Sequence, residues 1–211
     1  MSVSTSLSTP APSSPGTRRW RVVDIVVASV IGVASGLIFL AWNVAYRGPS
    51  ALLEPLLPGL QGLLDGPWLF AGVLGALIIR KPGAAVYTEL LAAAVSALTL
   101  VGNTWGAVLT LEAGLVQGLG AELVFLLFFY RRWNLPVAML AGVGAALAGG
   151  LNNLLLWYAG ADATFVVVYL VSTSVSGALI AGALSWLLAR GLAATGALDR
   201  FGSGRETRAR V

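Results

Sequence analysis

The chain has 211 residues, of which 57% are hydrophobic and only 10% are charged, with a formal net charge of +4. Ordinary soluble domains carry about 25% charged residues, so this chain has too few to cover a water-facing surface. It contains no Cys and no His, which excludes disulfides and removes the commonest transition-metal ligand and general base. The composition therefore predicts an all-α integral membrane protein in a lipid bilayer, with no metal, no cofactor and no nucleic-acid partner.

The two ends of the chain differ from its apolar middle. Residues 1–17 are rich in Ser, Thr and Pro, a composition typical of a disordered N-terminal tail. Residues 18–190 hold the apolar segments and are predicted to form one membrane domain. Residues 191–211 carry several Arg and are predicted to form a basic cytoplasmic C-terminal tail.

Six apolar segments predict six transmembrane helices, at residues 22–46, 68–79, 84–101, 107–130, 135–158 and 164–189. The second is short for a hydrocarbon core of ~30 Å, which needs about 20 residues, so we expect it to extend into the preceding loop. Twelve of the thirteen basic residues fall on the side that contains both termini, and Arg47 falls on the other. The positive-inside rule then predicts a multi-pass protein of a bacterial-type plasma membrane with both termini cytoplasmic.

The first apolar segment carries small residues at a spacing of four, namely Ala28, Gly32 and Gly36. Small residues at this spacing let another helix approach closely. Two interpretations are open, which are packing within this chain and a docking face for a separate membrane subunit.

The loop of residues 47–67 follows this segment and is predicted to lie outside the membrane. It is apolar but contains four Pro, which disfavour one continuous helix. It could be an interfacial segment on the bilayer surface or a lid over an outward-facing cavity.

Several polar residues interrupt the apolar segments. An ionisable group at the bilayer centre costs at least ~2.5 kcal/mol, so such residues usually face a protein interior or a water-filled cavity. Glu89, Ser96 and Asn103 are seven residues apart and share one face of the third segment. Glu89 could serve a ligand, or it could take part in helix–helix hydrogen bonding by pairing with Arg80 or Lys81.

The fourth segment carries Glu112, Gln117 and Glu122. Glu112 is about one turn from the outer end, which favours a role in binding. Glu122 is ten residues further, so the two carboxylates are about 15 Å apart along the helix and roughly 80° apart around it. This separation argues against a catalytic carboxylate dyad. For Glu122, ligand binding and structural pairing are both open.

Aromatic and amide side chains lie near the predicted outer ends. Asn153 and Trp157 are four residues apart on one helix face, and an amide beside an indole suits a flat heteroaromatic ligand. The outer tryptophans could be an ordinary aromatic belt or could bind an organic cation together with a carboxylate. The predicted substrate-binding residues are Trp42, Glu89, Asn103, Trp105, Glu112, Gln117, Glu122, Asn153 and Trp157.

Three local motifs carry a family resemblance, which runs from about residue 20 to residue 190. They are "IIRKPGAAVYTEL" (78–90), "GNTWG" (102–106) and "EAGLVQGLGAELVF" (112–125). The chain resembles the YkoE-like, hydroxymethylpyrimidine/thiamine group of S-components of energy-coupling factor (ECF) transporters. The resemblance implies a substrate-binding membrane subunit for vitamin uptake that associates with a membrane coupling subunit and a pair of ATP-binding-cassette ATPases. It also implies that Glu89, Glu112, Gln117 and Glu122 form the polar set.

Other functional classes compete with this interpretation. The sequence has no G-x-x-x-x-G-K-[ST] motif, so we expect separate subunits to hydrolyse ATP and this chain not to be an enzyme. The alternative is an ATP-independent secondary transporter of a small organic cation or heteroaromatic solute, with Glu112 and Glu122 as a relay. An intramembrane enzyme is disfavoured without His or Cys. A structural membrane subunit without a ligand is the remaining possibility.

Overall fold

The computed structural model describes residues 19–98, 106–198, 201 and 203–204. Every regular element within these residues is helical. The α-helices are α1 (Val22–Ala45), α2 (Arg47–Leu53), α3 (Phe70–Ile79), α4 (Ala84–Ala97), α5 (Ala107–Leu127), α6 (Leu135–Leu156), α7 (Ala163–Ser176) and α8 (Ser185–Ala194). Two 3₁₀ turns, Leu60–Leu64 and Gly66–Trp68, precede α3, and a π-helical segment, Gly177–Leu184, joins α7 to α8.

Four helical stretches are long and apolar enough to cross a membrane. They are α1, α5, α6 and the continuous stretch Ala163–Ala194, whereas α3 and α4 are shorter apolar helices. The all-helical, multi-pass architecture predicted from the sequence is confirmed. The predicted third span reaches residue 101, and its last residues lie outside the described part of the chain. The six-span topology with both termini cytoplasmic stays a prediction.

Helix α3 lies at the centre of the bundle, where it contacts α1, α4, α5 and α8. Each of its residues from Ala71 to Ile79 is buried. A helix that is apolar all round is expected to be surrounded by protein or lipid, and here the surroundings are protein. Its ten residues span only about 15 Å at 1.5 Å per residue.

Glycines allow the backbone of α6 to contact the backbones of α5 and of the π-helical segment directly. A Cβ atom added to Gly142 would overlap the carbonyl oxygen of Gly177, and one added to Gly177 would lie 2.5 Å from the carbonyl oxygen of Gly142. A Cβ on Gly144 would lie 2.6 Å from the carbonyl oxygen of Gly120 in α5. Membrane helices associate through such small residues because close backbone approach maximises van der Waals contact.

The small-residue stripe of α1 packs inside this chain, against α4. Ala28 is fully buried, and Gly32 and Gly36 face Leu91 and Val95, whose atoms lie 3.0 and 2.6 Å from where a Cβ would stand. The predicted docking face for a separate subunit is therefore occupied by α4 in this structure. Packing within the chain, the other interpretation of Ala28, Gly32 and Gly36, is the one observed.

The first half of the 47–67 loop stays at the edge of the bundle. Helix α2 follows α1 directly after Tyr46. Leu52 and Leu56, at the end of α2 and just after it, are 73% and 72% exposed. Apolar side chains at a membrane surface can rest on lipid, and the interfacial placement of this half stays a prediction.

The second half of the loop enters the bundle and follows α7. Successive glycines approach successive turns of that helix, and a Cβ on Gly59 or Gly62 would lie within 2.9 Å of an α7 carbonyl oxygen. The Ser176 hydroxyl accepts from the Gly66 N–H at 2.9 Å and donates to the Leu63 carbonyl at 2.6 Å. This half is an inserted segment that leads into α3, which explains how a short α3 connects to the outer end.

The C-terminal segment begins as packed structure. Helix α8 continues to Ala194, beyond the predicted boundary at residue 190. Leu198 and Phe201 are buried in the main core, and the Ser203 hydroxyl donates to the Ile78 carbonyl at 3.4 Å. Residues from 205 onward lie outside the described part.

Candidate functional site

A cavity of about 360 Å³ lies between α1, α4, α5, α6 and α7. Small-molecule sites commonly have volumes of about 300–1,000 Å³. The cavity is formed by the C-terminal parts of α1 and α6 and the N-terminal parts of α5 and α7. It is thus at the end opposite to the basic pairs that follow α3 and α5, which is the predicted outer end.

A chain of polar groups crosses the inner part of the cavity. The Tyr169 hydroxyl donates to Asp65 Oδ2 at 2.8 Å, and Asn153 Nδ2 donates to the Tyr169 hydroxyl at 2.8 Å. Thr173 also hydrogen-bonds with Asp65. Three separate elements therefore place these groups in one site.

The opposite wall is aromatic and is oriented by hydrogen bonds. The Trp68 indole N–H donates to Asn43 Oδ1 at 2.8 Å, and Asn43 Nδ2 donates to the Ser96 hydroxyl at 3.1 Å. The ring of Tyr46 lies against that of Trp68, with centroids 5.0 Å apart and planes tilted by 57°. These contacts fix the Trp68 ring, and a fixed ring can hold a flat ligand with little loss of side-chain entropy.

Three predicted binding residues line this cavity, and they are Gln117, Asn153 and Trp157. The Gln117 side chain rests on α6 at Gly149, where an added Cβ would lie 2.9 Å from Gln117 Cγ. Trp157 is 46% exposed and so belongs to the rim. The structure brings these three residues together from α5, α6 and the residue that ends α6.

Two predicted binding residues lie beside the cavity without lining it. Glu112 Oε2 accepts from Asn152 Nδ2 at 2.9 Å. The Trp42 indole N–H donates to the Leu64 carbonyl at 3.0 Å, and its ring packs edge-on against Trp68. Trp42 therefore supports the cavity residue Trp68, whereas Glu112 holds Asn152, which adjoins the cavity residue Asn153. Asn103 and Trp105, which were also predicted to bind substrate, lie outside the described residues.

Glu122 lies at the other end of the bundle and caps α4. Its carboxylate accepts from the backbone N–H of Gly83 at 2.7 Å and of Ala85 at 2.9 Å. It also accepts from the Tyr130 hydroxyl at 2.7 Å. The first N–H groups of a helix have no partner within the helix, and Glu122 supplies one. Of the two predicted roles of Glu122, structural pairing is the one that the structure shows.

Glu89 has a similar role at the start of α3. It is 1% exposed, and its Oε2 accepts from the Gly72 N–H at 2.6 Å. The structure thus shows the predicted helix–helix hydrogen bonding of Glu89, with Gly72 as the partner. The predicted ion pair with Lys81 is wrong, because Lys81 Nζ donates to Asp24, and Arg80 lies over the Trp133 ring. Within the described residues, Glu89 Oε1 has no hydrogen-bond partner. Glu89 does not line the cavity.

Replacing Glu89 by alanine should destabilise the protein by about 3 kcal/mol. The change leaves the buried Gly72 N–H without an acceptor, which costs about 1–3 kcal/mol, and leaves a void among close-packed helices. Glu89→Gln keeps a carbonyl oxygen for Gly72 and should lose less. Thermal unfolding of the detergent-purified variants measures both. An equal loss of stability in the two variants would show that the hydrogen bond from Gly72 does not stabilise the protein.

The sequence did not indicate the inner polar groups Asp65 and Tyr169 as a site. Asp65 follows a proline-rich apolar stretch, and Tyr169 is one of several polar residues of its helix. Their meeting depends on the inserted half of the loop. A carboxylate in the most apolar loop of the chain was the available signal, since such a loop offers it no polar surroundings.

The described residues contain no group of three or more His, Cys, Asp or Glu side chains able to hold a metal ion. What the cavity offers is an aromatic wall, amide groups and one carboxylate. This combination suits an organic solute with a flat ring and polar edges.

The fold and the cavity define a class of membrane protein, and a similar solved structure identifies that class. The chain is similar to the structure entitled "Crystal structure of an S-component of ECF transporter", with a TM-score of 0.81 and 34% sequence identity over 91% of this chain and 95% of that one. The fold is that of an S-component, a membrane subunit of an ECF transporter.

Two sequence comparisons give the family. A family model described as "ABC-type cobalt transport system, permease component" matches residues 23–148. The chain is 36% identical over 190 residues to YkoE of Bacillus subtilis (strain 168), a protein named as an HMP/thiamine permease, covering 90% of this chain and 92% of YkoE. The chain belongs to the YkoE-like family of ECF-transporter S-components.

Proposed function

We propose that this chain is the substrate-binding S-component of an ECF transporter that imports thiamine or its hydroxymethylpyrimidine precursor (HMP). A membrane coupling subunit and a pair of ATP-binding-cassette ATPases would complete the transporter, and ATP hydrolysis would belong to those partners. Both termini of the chain would be cytoplasmic. The name of YkoE suggests the substrate, and the chemistry of the cavity supports it.

The observation that carries the proposal is the cavity with an aromatic wall and a polar edge. Trp68 and Tyr46 offer ring faces, and Asn153 and Gln117 offer amide groups that both donate and accept. An aminopyrimidine ring is flat, donates through its amino group and accepts through its ring nitrogens. Stacking and edge hydrogen bonds can therefore be satisfied together.

The cavity supports an organic solute more than the metal ion in the description of the family model. Cobalt prefers nitrogen and sulfur ligands, and the chain has neither His nor Cys. Asp65 is a lone carboxylate among hydroxyl and amide partners.

Thermal unfolding of the purified chain against a panel of thiamine, HMP, riboflavin, biotin and Co²⁺ tests the proposal. A ligand that binds only the folded protein stabilises it by about 2.7 kcal/mol at one hundred times its dissociation constant. We expect stabilisation by thiamine or HMP and none by the others. Stabilisation by Co²⁺ alone would contradict the proposal, as would ATP-independent uptake by the chain alone in proteoliposomes.

Replacing Asn153 by alanine should weaken binding of the vitamin by about tenfold, or about 1.4 kcal/mol. The change removes a cavity amide and the group that donates to Tyr169. Asn152→Ala is the matched control, since Asn152 is the adjacent residue and points to Glu112, beside the cavity. Titration calorimetry compares the two variants, and a larger loss in Asn152→Ala would place the ligand on the Glu112 side.

A further inference from the structure

Two charged side chains line the cavity within the described part of the chain, and they differ in position. Arg47 begins α2 and is exposed at the rim, whereas Asp65 lies between the two 3₁₀ turns and is half-buried. The salt bridges found among the described residues join Arg21 and Lys81 to Asp24 and leave Asp65 without an ion pair. Burial raises the pKa of the Asp65 carboxyl to about 7. The inner part of the cavity thus holds a carboxyl group that has no salt-bridge partner and ionises near neutral pH.

The groups that face Asp65 are neutral. Tyr169 and Thr173 hydrogen-bond to it from α7, and the Tyr169 hydroxyl receives the Asn153 amide from α6. Neutral donors stabilise a carboxylate only in part, because an ion removed from water also needs an opposite charge nearby. A bound cation would favour the ionised form of Asp65 and pair with it, whereas a neutral ligand offers this carboxyl no opposite charge.

Aromatic side chains line the same cavity as this carboxylate. The backbone N–H of Trp68 donates to the Asp65 carbonyl at 3.0 Å, and the Trp68 ring packs on Tyr46. An organic cation near aromatic faces gains cation–π attraction in addition to charge pairing, and the attraction is larger where water is excluded. The surroundings of Asp65 therefore favour a delocalised cation over a neutral ring.

We propose that Asp65 is the counter-charge for a cationic ligand and makes the cavity select thiamine, with its positively charged thiazolium ring, over the neutral HMP. This inference rests on the proposed function, and it assigns the discrimination between the two substrates to one residue. The hydroxyl of Tyr169 positions the Asp65 carboxylate, and Asn153 positions that hydroxyl.

Titration calorimetry on the full chain in detergent tests this role with three probes, which are thiamine, HMP and a neutral thiophene isostere of thiamine. Asp65→Asn removes the charge and keeps an oxygen for the Tyr169 hydroxyl. Asp162→Asn is the matched control, because Asp162 caps the N-terminus of α7, the helix that carries Tyr169, through backbone hydrogen bonds and lies outside the cavity.

We expect the wild type to bind thiamine at least about tenfold more tightly than the thiophene isostere, since loss of one partner of a desolvated charge pair has at least this effect. Asp65→Asn should lose that advantage and keep its affinity for HMP. Asp162→Asn should bind all three probes as the wild type does.

Three results would overturn the inference. An equal loss of affinity for thiamine and for HMP in Asp65→Asn would show that the residue acts through the shape of the cavity. An unchanged affinity for thiamine would show that the residue has no role in binding it. If Asp65→Asn does not fold, equal wild-type affinities for thiamine and its isostere decide against the charge role. A wild type that binds none of the probes would refute the proposed function itself, which is a distinguishable outcome.

Discussion

Replacing Gly142 by alanine should prevent stable folding. The new Cβ would overlap the Gly177 carbonyl oxygen and lie 2.8 Å from the Gly182 amide nitrogen. Both atoms belong to the backbone of the π-helical segment and cannot rotate away as a side chain can. Overpacking a core usually costs about 1–3 kcal/mol, and we expect a loss above about 3 kcal/mol here because two helices must separate.

The chain offers a matched control for this substitution. Gly191 is also helical, and a Cβ there would meet nothing within 4 Å. Gly191→Ala should therefore stabilise the protein by up to about 1 kcal/mol, because alanine is the better helix former. Yield of monodisperse protein and thermal unfolding in detergent measure both variants. Equal thermal stability of Gly142→Ala and Gly191→Ala would contradict the close backbone contact between α6 and the π-helical segment.

Replacing Glu122 by alanine should destabilise the protein by about 3 kcal/mol and leave the affinity for ligand unchanged. The change removes the acceptor for the Gly83 and Ala85 N–H groups and for the Tyr130 hydroxyl. Each donor left unsatisfied in a buried place costs about 1–3 kcal/mol. Part of this is recovered, because the site is half-buried and water can reach some of the donors.

The Glu122→Gln variant distinguishes a role of Glu122 in capping α4 from a role in binding the ligand. Glutamine keeps one carbonyl acceptor, so its free energy of unfolding should fall between those of the wild type and the alanine variant. Unfolding and calorimetry are measured on the same preparations. A variant that keeps its stability but binds the vitamin weakly would assign Glu122 to the ligand and contradict the capping role.

The helices could be predicted from the sequence because long apolar runs separated by charges have few alternatives. The limits of α1, α5 and α6 agree with the predicted segments to within three residues at each end. The central position of α3 could not be predicted, since a helix without a polar face gives no sign of which side meets lipid. The π-helical segment continues the apolar run of α7 without a break and leaves no mark in the sequence pattern.

The site was only partly predictable for a different physical reason. Burial cost shows that an intramembrane carboxylate needs a polar partner, but it does not show which partner. For Glu89 and Glu122 the partners are backbone N–H groups at the starts of α3 and α4, and backbone donors are identical at every non-proline position. Asn153 and Gln117 could be found because an amide in an apolar helix is unusual.

The burial of α3 has a consequence for the order in which this protein is assembled during synthesis. A ten-residue helix of about 15 Å cannot by itself satisfy a bilayer core of ~30 Å. The carboxylate that caps it belongs to α4, and the rest of its surroundings come from α1, α5 and α8. The ribosome delivers α4, α5 and α8 after α3, so α3 reaches its final depth only when the later helices arrive. Truncated nascent chains that end before α5 should therefore leave α3 accessible to water-soluble labelling reagents.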